Sequence, residues 1–321
     1  MKFVIPDDAP PVYRNFPDEV ARLGNYGEVV VYDTRPSGQD EIIARMAGAT
    51  AVINVRAYTT FTEAVLAALP DLKLISVLGT GIDNIDLSAC TRHGVAVTNT
   101  PGCSTSGVAE LTIGLMLSVA RTIPISDRGI RAGEWRHRHN FELKGKTLGV
   151  LGLGLIGSEV ARLAQAFGMR VIAWSFTNDP ARATRLGVEL VALEDLLRRA
   201  DIVTVHLRNS EQARGLIGAE QLALMRPSAI LINTGRGAIV DQAALYEALR
   251  DKRIAGAGLD VFVNEPLPGD DPLTSLENVV LTPHIGAATV EAAVQLAKAP
   301  VDNIINFLAG TPTNVMNPGV L

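Results

Sequence analysis

Short apolar runs alternate with amphipathic stretches along the first hundred residues of the chain. Runs of this kind predict strands, and the stretches between them predict helices. Strands are predicted at Lys2–Ile5, Glu28–Tyr32, Ala51–Val55, Lys73–Val77 and Val95–Thr98, and helices at Pro17–Leu23, Gln39–Ala47, Phe61–Ala68 and Asp86–His93. Apolar strands separated by helices are typical of a parallel sheet covered on both faces. The pattern therefore predicts a first α/β domain.

The alternation stops at Asn99–Thr105, where Pro101 and Gly102 break the periodicity, and we interpret this segment as a hinge. Beyond it the pattern predicts an apolar helix, a basic loop and a second strand–helix series. This second series is predicted as Thr147–Leu151, a helix to about Phe167, Val171–Trp174, Leu193–Arg199, Asp201–Leu207, Ala219–Met225, Ala229–Thr234, Asp241–Arg250, Ala257–Asp260 and Val279–Thr282.

The last predicted helix, from about residue 288 to residue 308, is longer than one edge of a domain requires. We expect it to cross back and pack on the first domain. This places a dinucleotide-binding domain, residues 100–287, as an insertion in a substrate-binding domain of residues 1–99 and 288–321. A cleft is expected between the two lobes.

A glycine-rich turn follows the predicted strand Thr147–Leu151 and precedes a helix. It matches G-x-G-x-x-G, with its glycines at Gly152, Gly154 and Gly157. The first glycine permits a tight turn, the second permits close approach of a pyrophosphate, and the third permits close helix–sheet packing. The diphosphate would lie at a helix N-terminus, where unpaired N–H groups favour negative charge. Strand, helix and second strand follow at βαβ spacing, which indicates dinucleotide binding.

Composition narrows the class of protein. The chain has 321 residues, 47% hydrophobic residues and a net charge of −5, which disfavours a nucleic-acid partner. The basic stretch Arg131–His139 is interpreted as a solvated loop, or alternatively as a field that attracts an anionic substrate. Two cysteines are too few for a disulfide framework or a metal site. We therefore expect no metal. The N-terminus lacks a signal-peptide pattern, and the apolar run Gly107–Ala120 is too short to span a bilayer, so we expect a cytoplasmic protein with no membrane partner.

Three later strands end in polar residues within apolar surroundings. Arg236 lies between two glycines, Asp260 ends the next strand with Glu265 after it, and His284 follows the last strand. In a parallel sheet these strand ends share the edge at which a dinucleotide binds. Each residue also has an ordinary structural interpretation, as a surface charge, a turn residue or a helix cap. Their recurrence after a glycine loop favours a functional one.

This set of side chains suits hydride transfer to a ketone. The developing alkoxide needs a proton donor, and histidine titrates near working pH. A carboxylate bonded to the imidazole fixes its tautomer and favours its protonated form. Arginine binds both oxygens of a substrate carboxylate with its planar fork. We therefore predict His284 as acid/base, Glu265 as its partner and Arg236 as the carboxylate anchor.

The chain resembles the D-isomer-specific 2-hydroxyacid dehydrogenases in stretches that span nearly its whole length. The matching stretches are Gly79–Asp86, Val108–Glu110, Gly152–Gly157, Asn233–Gly237, Asn264–Pro266 and Thr282–Gly286. The resemblance implies an α/β protein of two doubly wound parallel-sheet domains, with a Rossmann domain inserted into a flavodoxin-like one. It implies the same three catalytic residues, NAD or NADP as cofactor, and a homodimer. Small substrates such as glyoxylate and hydroxypyruvate are expected.

The resemblance also implies two sets of binding residues. Substrate would contact Arg56, Leu78, Gly79, Thr80, Arg236 and His284. The cofactor would contact Thr105, Gly152, Gly154, Leu155, Ile156, Gly157, Ser175, Thr234, Gly235, Arg236, Asp260, His284 and Gly286. His206, near the end of the predicted strand Asp201–Leu207, is expected to border the cofactor.

Two departures and two alternatives remain. Ser175 stands where an acid usually grips the ribose 2′-hydroxyl, and Arg208 stands where many relatives have proline, so the choice between NAD and NADP stays open. Formate oxidation on the same fold is one alternative function, and Glu265 argues against it. A nucleotide-sensing interaction protein, similar to corepressors on this fold, is the other.

Overall fold

The computed structural model describes residues 1–55, 58–137 and 139–321. The chain divides into two compact units. The first unit combines Met1–Ser104 with Thr289–Leu321, and the second is Thr105–Ala288.

The first unit has a five-stranded parallel sheet in the order β2-β1-β3-β4-β5. The strands are β1 (Lys2–Ile5), β2 (Glu28–Val31), β3 (Ala51–Asn54), β4 (Leu74–Val77) and β5 (Ala96–Thr98), and the helices between them are α1 (Pro17–Gly24), α2 (Gln39–Met46), α3 (Glu63–Ala67) and α4 (Leu87–Arg92). Strands β3, β4 and β5 are buried throughout, as their continuous apolar runs predict. This strand order is that of the flavodoxin-like doubly wound sheet.

The C-terminal helix, Val290–Leu308, packs against α1, β3 and β4 of the first unit. Two side chains of the unit bond to its backbone: the Tyr13 hydroxyl donates to the Ala297 carbonyl at 3.0 Å, and the Ser76 hydroxyl donates to the Pro300 carbonyl at 3.0 Å. Pro300 lies inside this helix, and its ring cannot donate the usual intrahelical hydrogen bond. The first unit is thus built from both ends of the chain.

The second unit has a seven-stranded parallel sheet in the order β12-β11-β10-β9-β6-β7-β8. The strands are β6 (Thr147–Leu151), β7 (Arg170–Trp174), β8 (Glu189–Leu190), β9 (Ile202–Val205), β10 (Ile230–Asn233), β11 (Gly256–Leu259) and β12 (Val279–Leu281). The order reverses between β6 and β9, as it does in dinucleotide-binding sheets. Both predicted parallel sheets are therefore confirmed.

Helices cover both faces of this second sheet. They are α5 (Thr105–Ala120), α6 (Ile123–Arg131), α7 (Leu155–Ala166), α8 (Pro180–Leu186), α9 (Leu193–Arg199), α10 (Ala219–Leu224) and α11 (Gln242–Arg250). Helix α6 lies in the segment predicted as a loop, and the sequence pattern predicts neither α8 nor the two-residue strand β8. No single helix in the described ranges is long and apolar enough to cross a bilayer, although α5 and α6, bent by 62° relative to each other, pass that test as a pair.

Candidate active site

The glycine turn lies between β6 and α7. Gly152 has a φ of +99°, and a Cβ on it would lie 2.7 Å from the His206 carbonyl oxygen. A Cβ on Gly157 would lie 2.0 Å from the Gly152 carbonyl oxygen, so α7 packs too close to the turn for any side chain. Gly154 faces open space instead. The first and third glycines are thus required by packing within the protein, and the second leaves the surface of the turn accessible.

This turn fits a dinucleotide diphosphate. Gly154 precedes α7, and no side chain of the described residues caps that helix end. Its first N–H groups therefore remain available, and the helix dipole favours an anion there. Leu155, the first residue of α7, is exposed, whereas Ile156 is partly buried.

His206 lies where the strand order reverses. Its backbone N–H donates to the Leu151 carbonyl at 2.7 Å, which joins the ends of β9 and β6. Its ring Nε2 lies 2.9 Å from the Thr204 hydroxyl, and its ring Nδ1 is buried without a partner among the described residues. Burial lowers the pKa of His206 to about 3. The His206 imidazole is therefore neutral at neutral pH, and the residue lies beside the glycine turn.

Arg236 lies in a loop shaped by Asn233, the last residue of β10. The Asn233 side chain accepts a hydrogen bond from Gly235 N–H at 3.0 Å and donates one to the Arg236 carbonyl at 3.0 Å. A Cβ on Gly237 would lie 2.0 Å from the Phe262 carbonyl carbon, so only glycine fits after the arginine. Arg236 Nη1 donates to the Gly235 carbonyl at 2.8 Å. The guanidinium is therefore held at the carboxyl end of β10.

Glu265 and His284 are hydrogen-bonded to each other. His284 Nδ1 lies 2.7 Å from Glu265 Oε2, and Glu265 Oε1 accepts the Phe262 N–H at 2.9 Å. Partial burial raises the pKa of Glu265, but the hydrogen bonds from His284 and Phe262, with the charges of His284 and Arg236, outweigh it and lower that pKa overall. The carboxylate is thus kept ionised beside the imidazole, and the contribution of Arg236 places that cation near the pair.

Asp260, the residue after β11, fixes the loop that bears His284. Its Oδ1 accepts the Thr282 hydroxyl at 2.6 Å and the Ile285 N–H at 2.9 Å, and its Oδ2 accepts the Gly286 N–H at 2.9 Å. Its side chain is buried, and these charge-assisted bonds compensate for the burial. His284 has a φ of +54°, a left-handed conformation that is strained for a non-glycine residue. The Asp260 bonds on either side of His284 hold it there.

Three other residues of the implied cofactor set lie in the second unit. Thr234 is buried, and its hydroxyl lies 2.9 Å from that of Thr112 in α5. Thr105 begins α5 and is partly buried. The Ser175 hydroxyl, after β7, accepts the Leu153 N–H at 2.7 Å. Ser175 and Thr234 therefore lie at the carboxyl ends of β7 and β10.

The substrate residues implied in the first unit follow β4. Leu78 N–H donates to the Asn54 carbonyl at 2.9 Å, and Gly79, with a φ of +111°, donates its N–H to the Thr100 hydroxyl at 2.7 Å. The Thr80 carbonyl accepts the Asn99 amide at 3.1 Å, and Thr80 is exposed. The strand-end loop is thus well anchored. Arg56 lies outside the described residues.

Two residues that shape the site were not singled out from the sequence. Asn233 acts through a side chain that bonds backbone two and three residues on, and the N-T-G triplet is a signal for such a turn. Phe262 acts through its backbone N–H, which no sequence pattern marks. Neither is expected to touch substrate, yet each fixes a residue that the sequence did predict.

Comparison with known proteins gives concordant results. The family model described as D-isomer specific 2-hydroxyacid dehydrogenase, NAD binding domain, matches residues 113–286. Glyoxylate reductase of Aeropyrum pernix is 42% identical over 321 residues, covering 95% of this chain and 94% of the relative. D-3-phosphoglycerate dehydrogenase of Archaeoglobus fulgidus is 41% identical over 282 residues, covering 87% of this chain and 53% of the relative. An acyclic imino acid reductase solved with NADPH and D-Arg superposes with a TM-score of 0.89 at 31% identity, covering 98% of this chain and 100% of that one.

Proposed function

This chain belongs to the D-isomer-specific 2-hydroxyacid dehydrogenase family, and we propose that it reduces a small 2-oxo acid to the D-2-hydroxy acid. Glyoxylate and hydroxypyruvate are the proposed substrates, since a 42% identical relative is a glyoxylate reductase. NAD(P) is the cofactor: the matched family model is an NAD-binding domain, and a 31% identical relative binds NADPH. When bound, the reduced nicotinamide supplies the hydride.

One observation supports this reaction above all others, namely the 2.7 Å hydrogen bond between His284 Nδ1 and Glu265 Oε2. It directs the opposite ring nitrogen, Nε2, away from the carboxylate. A protonated imidazole held this way is an acid suited to an alkoxide formed from a ketone. In the reverse direction the neutral ring accepts the hydroxyl proton. We assign His284 as the acid/base and Glu265 as the residue that orients it.

Arg236 is assigned to the substrate carboxylate. Its guanidinium is planar and forms two parallel hydrogen bonds to a carboxylate, which would orient the adjacent ketone. The Asn233 turn and Gly237 hold its backbone, so little freedom is lost on binding. In the first unit, Leu78, Gly79 and Thr80 are proposed as further substrate contacts.

The partner of the second unit is proposed to be a second copy of this chain. Helix α6 has no buried residue, and Ile123, Ile130 and the nearby Trp135 are 50%, 54% and 80% exposed. Two ion pairs, Arg131 with Asp127 and Arg136 with Glu134, lie beside this face. The face therefore carries charges of both signs, and two copies of the chain could pair opposite charges across it. Light scattering should give the mass of a dimer, and Ile130→Asp should shift it toward the monomer.

A panel of 2-oxo acids with NADH and NADPH tests the proposed reaction. Consumption of reduced cofactor with glyoxylate or hydroxypyruvate, and chiral analysis giving the D product where the product is chiral, is the expected result. Turnover with formate and NAD in place of this activity would support the formate alternative. Cofactor binding without turnover of any acid would favour a nucleotide-sensing protein.

A further inference from the structure

The segment after β7 differs from the usual ribose-binding pattern of this sheet. Ser175 takes the place of an acid, and its hydroxyl accepts the Leu153 N–H at 2.7 Å. It therefore has no charge with which to repel a 2′-phosphate. The next residue, Phe176, is an uncharged aromatic residue and cannot pair with a phosphate. Its ring packs edge-on against Trp174 at 4.8 Å between centroids. The two positions directly after β7 therefore carry no charge.

Arg182, in α8, reaches back to the same residue that Ser175 contacts. Its Nη1 donates to the Leu153 carbonyl at 2.9 Å, so the Ser175 hydroxyl and the Arg182 guanidinium both bond Leu153, between Gly152 and Gly154 of the glycine turn. The Arg182 side chain is 41% exposed. Its Nη2 donates to no group within the part of the chain that the structure describes. A solvent-facing cation thus lies beside the turn, at the end of β7.

Asp179 opposes this cation. Its Oδ1 accepts the Arg182 N–H at 2.9 Å and caps α8, while its Oδ2 lies 3.3 Å from Arg182 Nε. A carboxylate so close offsets part of the guanidinium charge and would repel a phosphate dianion. It could also accept a hydrogen bond from a ribose hydroxyl. The cation Arg182 and the anion Asp179 therefore lie together in the segment after β7.

We propose that Arg182 admits the 2′-phosphate of NADPH and that Asp179 limits its affinity, so that this pair sets a mixed preference for NADPH and NADH. The inference rests on the proposed function, because it requires that the second unit bind a nicotinamide dinucleotide. This selective role of Arg182 can be distinguished from a purely structural one. A structural role, holding the glycine turn through Leu153, would affect the two cofactors equally.

The test is direct titration of the full-length protein with NADPH and NADH, followed by the fluorescence of the bound cofactor in the absence of substrate. Arg182→Gln removes the charge but keeps an amide donor for the Leu153 carbonyl. We expect its Kd for NADPH to rise about tenfold, the scale of one charge interaction at a partly exposed site, and its Kd for NADH to change less than twofold. Arg185→Gln, an exposed arginine one turn on, is the matched control and should change neither.

Asp179→Asn provides the opposite variant, since asparagine also caps helices. It should tighten NADPH severalfold and leave NADH within about twofold, and Ser175→Asp should selectively weaken NADPH about tenfold. Equal weakening of both cofactors in Arg182→Gln, or no gain for NADPH in Asp179→Asn, would overturn the inference while leaving the proposed function intact. A folded wild type that binds neither cofactor would overturn both.

Discussion

His284 Nδ1 and Glu265 Oε2 lie 2.7 Å apart, and the other oxygen of the same carboxylate accepts the Phe262 N–H at 2.9 Å. Glu265 is thereby fixed at both oxygens, one by backbone and one by the imidazole. Its lowered pKa means that the paired state favours the charged carboxylate. The charged carboxylate therefore lies directly against the imidazole ring.

Glu265→Gln should therefore change the pH dependence of both directions. Reduction of the oxo acid needs protonated His284, so the alkaline fall of kcat/KM should move to lower pH when the negative charge is removed. Oxidation of the hydroxy acid needs the neutral ring, so its activity should begin at lower pH in the same variant. Full pH profiles of kcat/KM measure both shifts, and two unmoved profiles would uncouple Glu265 from the titrating group.

Arg236→Lys keeps the positive charge and removes the planar fork. We expect kcat/KM for the oxo acid to fall by roughly two to three orders of magnitude, because the bidentate site interaction is lost. The Kd for NADH, measured without substrate, should stay close to that of the wild type. Kinetics like those of the wild type in this variant would remove Arg236 from the substrate site.

Asp260→Asn should disturb the His284 loop. One carboxylate oxygen is replaced by an N–H₂ group that faces an N–H or O–H donor, so at least one bond to Thr282, Ile285 or Gly286 is lost. We expect a loss of about 1–3 kcal/mol in the free energy of unfolding and a fall in kcat of about tenfold or more at saturating cofactor. A destabilised variant with the kcat of the wild type would limit Asp260 to a structural role.

His206 should make the second unit sensitive to acid. Because burial lowers its folded-state pKa to about 3, the unfolded chain binds a proton between about pH 6.5 and pH 3 while the folded chain does not. The free energy of unfolding should then fall as the pH drops through that window, by a few kcal/mol in total as an order of magnitude. His206→Gln should flatten this slope in denaturant titrations, and His139→Gln, at an exposed position, should not. Equal slopes in both variants would contradict the assignment.

Much of the fold follows from hydrophobic periodicity. The five strands of the first sheet, and six of the seven in the second, coincide with apolar runs that the sequence marks clearly. Helix α6 was missed because it contains Pro124 and Gly129, and two of its three isoleucines, Ile123 and Ile130, are exposed. Helix α8 was missed because Ala183 is its one buried residue, so the sequence shows little apolar face there, although Asp179 and Pro180 form a cap signal.

The site likewise has residues that the sequence predicts and contacts that it does not. Arg236, Asp260 and His284 follow strand ends, and topology alone places such residues on one edge of a parallel sheet. The contacts that fix them could not be predicted, because the Asn233 turn and the Asp260 clamp bond backbone groups whose directions depend on the folded loops. The position of Arg182 likewise depends on α8 folding back onto Leu153, which no spacing in the sequence determines.

We propose that His284 exchanges the proton during reduction of a 2-oxo acid. The most direct test compares wild type and His284→Ala for glyoxylate-dependent oxidation of NADH and NADPH, with the Kd of each cofactor measured alongside. We expect turnover by the wild type, loss of turnover by at least about two orders of magnitude in the variant, and similar cofactor Kd values in both. Retained turnover in His284→Ala, or a wild type that binds cofactor and reduces no 2-oxo acid, would contradict it.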